Sequence, residues 1–173
     1  MNHLEQLVAE WYEYNGYFVR KNVHVGKREK GGYECELDVV AYCPKRKHLV
    51  QIEPSTDAHT WATREERYEK KFLAGRKYIP ELFSGLPNIP YLDQIAVFPL
   101  GKKTTRQHLA EGRVFFIYQL FAEIQRGLYG KTLACAAVPE QFPLLRTIQH
   151  CTEYFTAAPF DLPEGYKGFI REV

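Results

Sequence analysis

The chain has 173 residues, 45% of them hydrophobic and 14% aromatic, including 12 Tyr and 11 Phe. That is enough apolar mass for a sizeable core, which excludes a disordered chain and predicts one domain, at most with a small appendage. The formal net charge is only +2, so bulk charge does not announce a nucleic-acid binder and any electrostatic case must rest on local clusters.

Residues 3–14 place Leu4, Leu7, Val8 and Trp11 at helical spacing, and Asn15–Gly16 supplies a stop. The same N-terminus carries acids and lacks a basic segment followed by an apolar one, so it does not read as a signal peptide. "YFVRKNVHV" (17–25) reads as a strand, with the charged loop "GKREKGG" after it. Two more strands are expected over 33–43 and 48–54, joined by "PKRK". A long helix follows from Thr60 to Phe83, with Trp61, Tyr68, Phe72 and Ile79 near one face and Pro80 close to its end. "DQIAVFPL" (93–100) is a fourth strand. Helix, three strands, helix, strand is the order of a mixed-sheet α/β core, here over residues 1–100.

Beyond residue 100, "TTRQHLAEG" reads as a short helix, "RVFFIYQL" as a strand and "EQFPLLRTIQHCTEYF" as a helix despite Pro143. A Pro- and Gly-rich aromatic tail, "TAAPFDLPEGYKGFI", ends the chain. "RVFFIY", "LLRTI" and "EYF" carry more apolar surface than a small appendage hides. Residues 101–173 are therefore expected to form a C-terminal α/β extension, packed on the core or at a homodimer interface. No apolar stretch approaches the ~18 residues of a membrane span. Cys35, Cys43, Cys135 and Cys151 show no paired spacing, which predicts reduced thiols in a cytoplasmic compartment rather than a zinc site or a disulfide framework. The six histidines lack metal spacing, and neither a Gly-rich phosphate loop nor a nucleophile elbow is present.

The informative stretch is "ELDVVAYCPKRKHLVQIEPS" (36–55), where acids interrupt two apolar runs. Strand side chains alternate, so Glu36, Asp38, Val40 and Tyr42 share one face of their strand, and Gln51, Glu53 and Ser55 share one face of the next. If "PKRK" is a four-residue hairpin loop, Cys43 lies opposite His48 and Asp38 lies opposite Glu53. Cβ atoms of directly opposed residues are ~4.5–5.5 Å apart, and like charges there destabilise a sheet unless a cation stands between them or one is protonated. A hard divalent ion such as Mg²⁺ meets that demand. Solvated acids paired with Lys or Arg are the bland alternative.

"ELDVVAY" followed by "HLVQIE", with a Glu-bearing helix and a Gly before the first strand, resembles the PD-(D/E)XK nuclease superfamily, the restriction-endonuclease-like fold that includes Holliday-junction resolvases. The resemblance covers roughly residues 1–100 and implies a metal-dependent nuclease acting on DNA. It implies that Asp38 and Glu53 bind Mg²⁺ or Mn²⁺, that Glu5 is the helix-borne metal acid, and that Arg64 and Tyr68 occupy the spacing of a Gln-x-x-x-Tyr motif. The family lysine belongs two residues after Glu53, where this chain has Ser55. A serine hydroxyl supplies no positive charge, so cleavage is expected to be slow or else to depend on a replacement ammonium from the following helix. Lys71 is favoured over Lys70 because its stem can run along the packed face before its head enters the cleft. The basic clusters Lys27/Arg28/Lys30, Lys45/Arg46/Lys47 and Lys102/Lys103/Arg106 suit a phosphate backbone. Two further readings stay open: a non-catalytic nucleic-acid-binding or assembly module with a nuclease-like fold, and a protein-interaction domain using the aromatic C-terminal region.

Overall fold

The first helix is set by its own cap. The Asn2 side chain accepts from the backbone N–H groups of Leu4 and Glu5, while the Glu5 carboxylate accepts from the Asn2 backbone, a reciprocal capping box. In the computed structural model, which describes residues 2–86, 88–99 and 106–155, helix α1 (His3–Tyr14) buries Leu4, Leu7, Val8 and Trp11, the four positions its periodicity singles out. Strands β1 (Phe18–Lys27), β2 (Tyr33–Cys43) and β3 (His48–Pro54) follow as antiparallel neighbours. Helix α2 (Trp61–Leu82), capped by Thr60, returns the chain so that β4 (Leu92–Phe98) runs parallel to β3. Strands β5 (His108–Leu109) and β6 (Gly112–Phe116) and helices α3 (Ile117–Leu128), α4 (Leu133–Ala136) and α5 (Pro143–Phe155) complete the described chain. The result is an α/β protein with a six-stranded mixed sheet in the order β1-β2-β3-β4-β6-β5.

Alternation along the strands decides which helix each face meets. Val39, Ala41, Val50, Ile52, Ile95 and Val97 form one core with side chains of α1, α3 and α5. On the α2 side, Val40 and Leu49 pack with Ala74 and Ile79, and Ala96 and Phe98 pack with Tyr68 and Phe72. Residues of both halves of the sequence thus share one sheet and one core. Helix α5 is tied down by charge as well: Glu10 of α1, 5% exposed, accepts from the backbone N–H groups of Leu144 and Leu145 at 2.9 and 3.0 Å. A carboxylate on first-turn N–H groups suits the positive end of a helix, and Pro143 at the first position lacks only a donor that would be orphaned anyway.

The segment after residue 105 departs from the sequence reading. Part of "TTRQHLAEG" lies outside the described residues, but the rest is strand and turn instead of helix. His108 pairs with Arg113 and Leu109 with Gly112, leaving Ala110 and Glu111 as a two-residue loop with φ of 48° and 68°. Both values lie in the left-handed region that such tight hairpins need. The expected strand "RVFFIYQL" ends at Phe116, and Ile117 opens α3, whose Leu120, Ile124 and Leu128 recur at helical spacing and are fully buried. The tail from residue 156 lies outside the described residues.

Candidate active site

The β2–β3 register is the expected one, from Cys43 opposite His48 to Val39 opposite Ile52. One residue further along, Asp38 and Glu53 project on the α2 side, toward the middle of that helix. There Lys71 Nζ donates to Asp38 Oδ1 at 2.6 Å and to Glu53 Oε2 at 2.5 Å. Two strands and a helix therefore deliver two carboxylates and one ammonium to a single point. The Glu53 side chain is 1% exposed, that of Asp38 16% and that of Lys71 27%, so the cluster is closed on the glutamate side and open on the other.

Burial and the neighbouring charges set its protonation. Burial pushes the Glu53 carboxyl up, Lys71 pulls against this and Asp38 adds to it, leaving it at about 8. For Lys71 burial alone would favour the neutral amine, but Glu53 and Asp38 together hold the ammonium above its ordinary range. The folded protein holds the Glu53 proton more tightly than the unfolded chain does. Its contribution to stability is therefore present below the ordinary glutamate range and is lost as pH rises through about 8.

A buried amide ladder, which the sequence reading did not single out, fixes the glutamate. Gln51 Nε2 donates to Glu53 Oε1 at 2.8 Å and to the Lys71 carbonyl at 3.1 Å. Gln94, its partner across β3–β4, donates to Gln51 Oε1 at 2.6 Å and to the Phe72 carbonyl at 2.8 Å. Arg76 donates to Gln94 Oε1 at 2.7 Å. Part of the signal was present in the sequence: Gln51 interrupts the apolar run of its strand with the parity of Glu53, whereas Gln94, next to Asp93 at the start of β4, carried no such mark. Gly75 lets α2 sit this close, since a Cβ there would meet Gln51 Oε1 at 1.8 Å and Cδ at 2.6 Å. Gly75→Ala should therefore destabilise the protein by ~1–3 kcal/mol, the usual cost of overpacking, read as a lowered denaturation midpoint in urea.

Asp38 and Lys71 open on a cleft of about 330 Å³ whose lining also includes Glu5, Ser55, Asp57, Arg67 and Tyr68, while the Glu53 side chain lies behind them. Glu5 lines this cleft, but its carboxylate oxygens accept from the Asn2 backbone and side chain at 3.0 and 2.6 Å. Ser55 donates its hydroxyl to Asp57 at 2.5 Å, and Asp57 also holds Arg67 at 2.8 Å. Tyr68 donates to the Glu53 carbonyl at 3.1 Å. Arg64 does not reach the triad: its guanidinium lies over the rings of Trp61 and Phe98 and donates to the Asp57 carbonyl at 2.7 Å. Lys70 is exposed on α2. Among the described residues no group of three or more His, Cys, Asp or Glu side chains is arranged to hold a metal ion. Asp38 and Glu53 are thus a two-carboxylate, oxygen-only donor set, the chemistry of a hard divalent cation whose remaining positions go to water and substrate phosphate.

The basic loops are not all beside the site. Antiparallel pairing sends the 44–47 loop to the far end of β3, whereas residues 28–32 and Arg106 lie at the end where Glu53 stands. Arg106 there pairs with Glu65 at 3.1 Å and covers the Trp61 ring, while Lys102 and Lys103 fall outside the described residues.

Fold and site together define an α/β protein that gathers two opposed strand acids on a helix-borne lysine. No family model, no curated protein and no solved structure matches the chain. No helix among the described residues is long and apolar enough to cross a membrane.

Proposed function

We propose that this protein is a metal-dependent nuclease that hydrolyses phosphodiester bonds in DNA, built on a restriction-endonuclease-like core. One observation carries the reading: Lys71 Nζ lies within hydrogen-bond distance of both Asp38 and Glu53. The chain thus supplies, from α2, the cation that Ser55 cannot. The order of helix, three antiparallel strands, helix and parallel fourth strand supports the same core. A Mg²⁺ or Mn²⁺ ion held by Asp38 and Glu53 would lower the pKa of a water and offset charge developing on the phosphoryl oxygens. Gln51 and Tyr68 hold the Glu53 side chain and backbone in place. With the ion held by the carboxylates, Lys71 would be freed from them and would supply the positive charge that offsets the transition state. Arg67, half-exposed in the cleft wall and paired with Asp57, would bind a flanking phosphate with the rest of its guanidinium. The four free cysteines support a reducing, cytoplasmic setting.

Because Glu53 must lose its proton before binding a cation, metal affinity should rise about tenfold per pH unit up to about 8. Mg²⁺ should raise the melting temperature more at pH 8.5 than at pH 6. Asp38→Asn or Glu53→Gln should abolish the rise at both, together with hydrolysis of a plasmid and of a small phosphodiester such as bis(p-nitrophenyl) phosphate. An unchanged metal response in both variants would reject the assignment. The self-neutralised ion triad also favours a second reading, a nuclease-like binding module without turnover, which a wild-type protein inert toward both substrates would support.

A further inference from the structure

The β1–β2 hairpin is longer than the sheet that carries it. With Cys43 opposite His48, the last residue of β3, Pro54, falls opposite Leu37, so Tyr33 to Glu36 have no β3 residue beside them. Four residues at ~3.3 Å each carry a two-stranded ribbon about 13 Å past the end of β3, at the end where Asp38 and Glu53 stand. The ribbon is braced from behind. Val23, Val25 and Leu37 pack with Ala74 and Ile79 of α2, and Glu34 accepts from the Tyr78 hydroxyl at 2.6 Å and from Lys77 at 3.4 Å.

Its two strand acids are thus engaged, Glu34 toward the tip with α2 and Glu36 nearer the base with His24 at 3.4 Å. The loop beyond them is basic: Lys27, Arg28 and Lys30 are all exposed, with Glu29 the one acid within it. Tyr33 and His24, 47% and 51% exposed, place their rings 5.0 Å apart on the ribbon's flank.

We propose that this ribbon is a duplex-DNA clamp that enters the major groove beside the phosphodiester held at the Asp38–Glu53–Lys71 cluster, a role that rests on the nuclease reading. A B-form major groove, ~12 Å wide, admits a two-stranded β-ribbon, and its rims are phosphates that Lys27, Arg28 and Lys30 would neutralise. The deep, narrow major groove of duplex RNA excludes such a ribbon, so the partner is duplex DNA.

The test measures binding without turnover. Wild type and a Lys27→Ala/Arg28→Ala/Lys30→Ala variant are titrated, in EDTA, with one sequence as duplex DNA, duplex RNA and single-stranded DNA over 50–200 mM salt. The substituted side chains are exposed, so the melting temperature serves as the folding control. Three lost phosphate contacts should lower the slope of log affinity against log salt by about 2.7, so that wild type loses about forty-fold more affinity than the variant over this range. Duplex DNA should be the tightest ligand. Equal slopes would overturn the proposal, as would wild-type protein that binds no duplex or binds RNA or single strands as tightly. A variant that only aggregates faster would do so too, because it would make these lysines guards of an edge strand. Hydrolysis of bis(p-nitrophenyl) phosphate by the wild-type protein tests the chemistry separately, since that substrate is too small to reach the ribbon.

Discussion

Lys71→Ala should slow DNA cleavage ~10²–10³-fold, the typical cost of removing one group that stabilises transition-state charge, and at the same time strengthen the response to Mg²⁺. The two effects have opposite signs because the ammonium occupies the point between Asp38 Oδ1 and Glu53 Oε2. Without it Asp38 loses its counter-charge and the buried Glu53 carboxyl, which Lys71 pulls down, holds its proton more tightly; the metal-free protein loses stability, and an ion bound to the ionised pair restores it through linkage. A purely structural lysine would also destabilise when removed, but it would not separate slower cleavage from tighter metal binding. Ser55→Lys placed on Lys71→Ala returns an ammonium two residues after Glu53 and should recover part of the lost rate. Single-turnover cleavage with saturating Mg²⁺, alongside melting curves over a metal titration, reads both quantities. Wild-type cleavage by Lys71→Ala would remove Lys71 from the chemistry.

The largest stability effect is expected at the opposite end of β3. His48, Asp93 and Tyr17 are buried at 1%, 6% and 4% exposure, and Arg113 donates to Asp93 through Nε at 3.1 Å and through Nη2 at 2.6 Å. His48 Nε2 lies 3.3 Å from the same carboxylate and Nδ1 lies 2.7 Å from the Tyr17 hydroxyl. A carboxylate only accepts, so Nε2 carries a hydrogen and, in the neutral ring, Nδ1 accepts from Tyr17. Burial alone would raise the Asp93 carboxyl, but the hydrogen bonds from His48 and Arg113 hold it well below the usual range. Its stabilisation is therefore present above the ordinary aspartate pKa and is lost as pH falls toward the depressed value. Asp93→Asn should cost ~3–5 kcal/mol at pH 7, as breaking one side of a buried ion pair does, and less at pH 3. Urea unfolding at the two pH values checks this; a variant as stable as wild type at pH 7 would show the network to be dispensable.

Much of this arrangement was legible in the sequence where periodicity and loop length act alone. The hairpin register followed from four loop residues, and with it the pairing of Asp38 with Glu53. Lys71 followed from its place on the packed face of a helix. What could not be read depends on tertiary contacts or on backbone geometry without a residue signature. Ala110–Glu111 turns with positive φ at both positions but lacks the Asn or Gly that normally announces such a turn. "RVFFIYQL" is apolar enough for strand or helix, and only packing against α1 and α5 assigns its second half to α3. The same limit applies to acids: Glu10 and Asp93 read as ordinary charged residues, yet one caps a helix more than a hundred residues away and the other anchors a buried pair.

The division of the triad between β2, β3 and α2 has a consequence for the protein's birth. A ribosome releases both acids before the helix that carries their lysine, so the emerging strands hold only mutually repelling charges. The three groups meet only once α2 has docked against Gln51 through its own Gly75, whose missing side chain allows the approach. Any opening that lifts α2, during synthesis or afterwards, takes the ammonium away from both acids at once. Local detachment of one helix therefore dismantles the cluster while the sheet behind it is still intact.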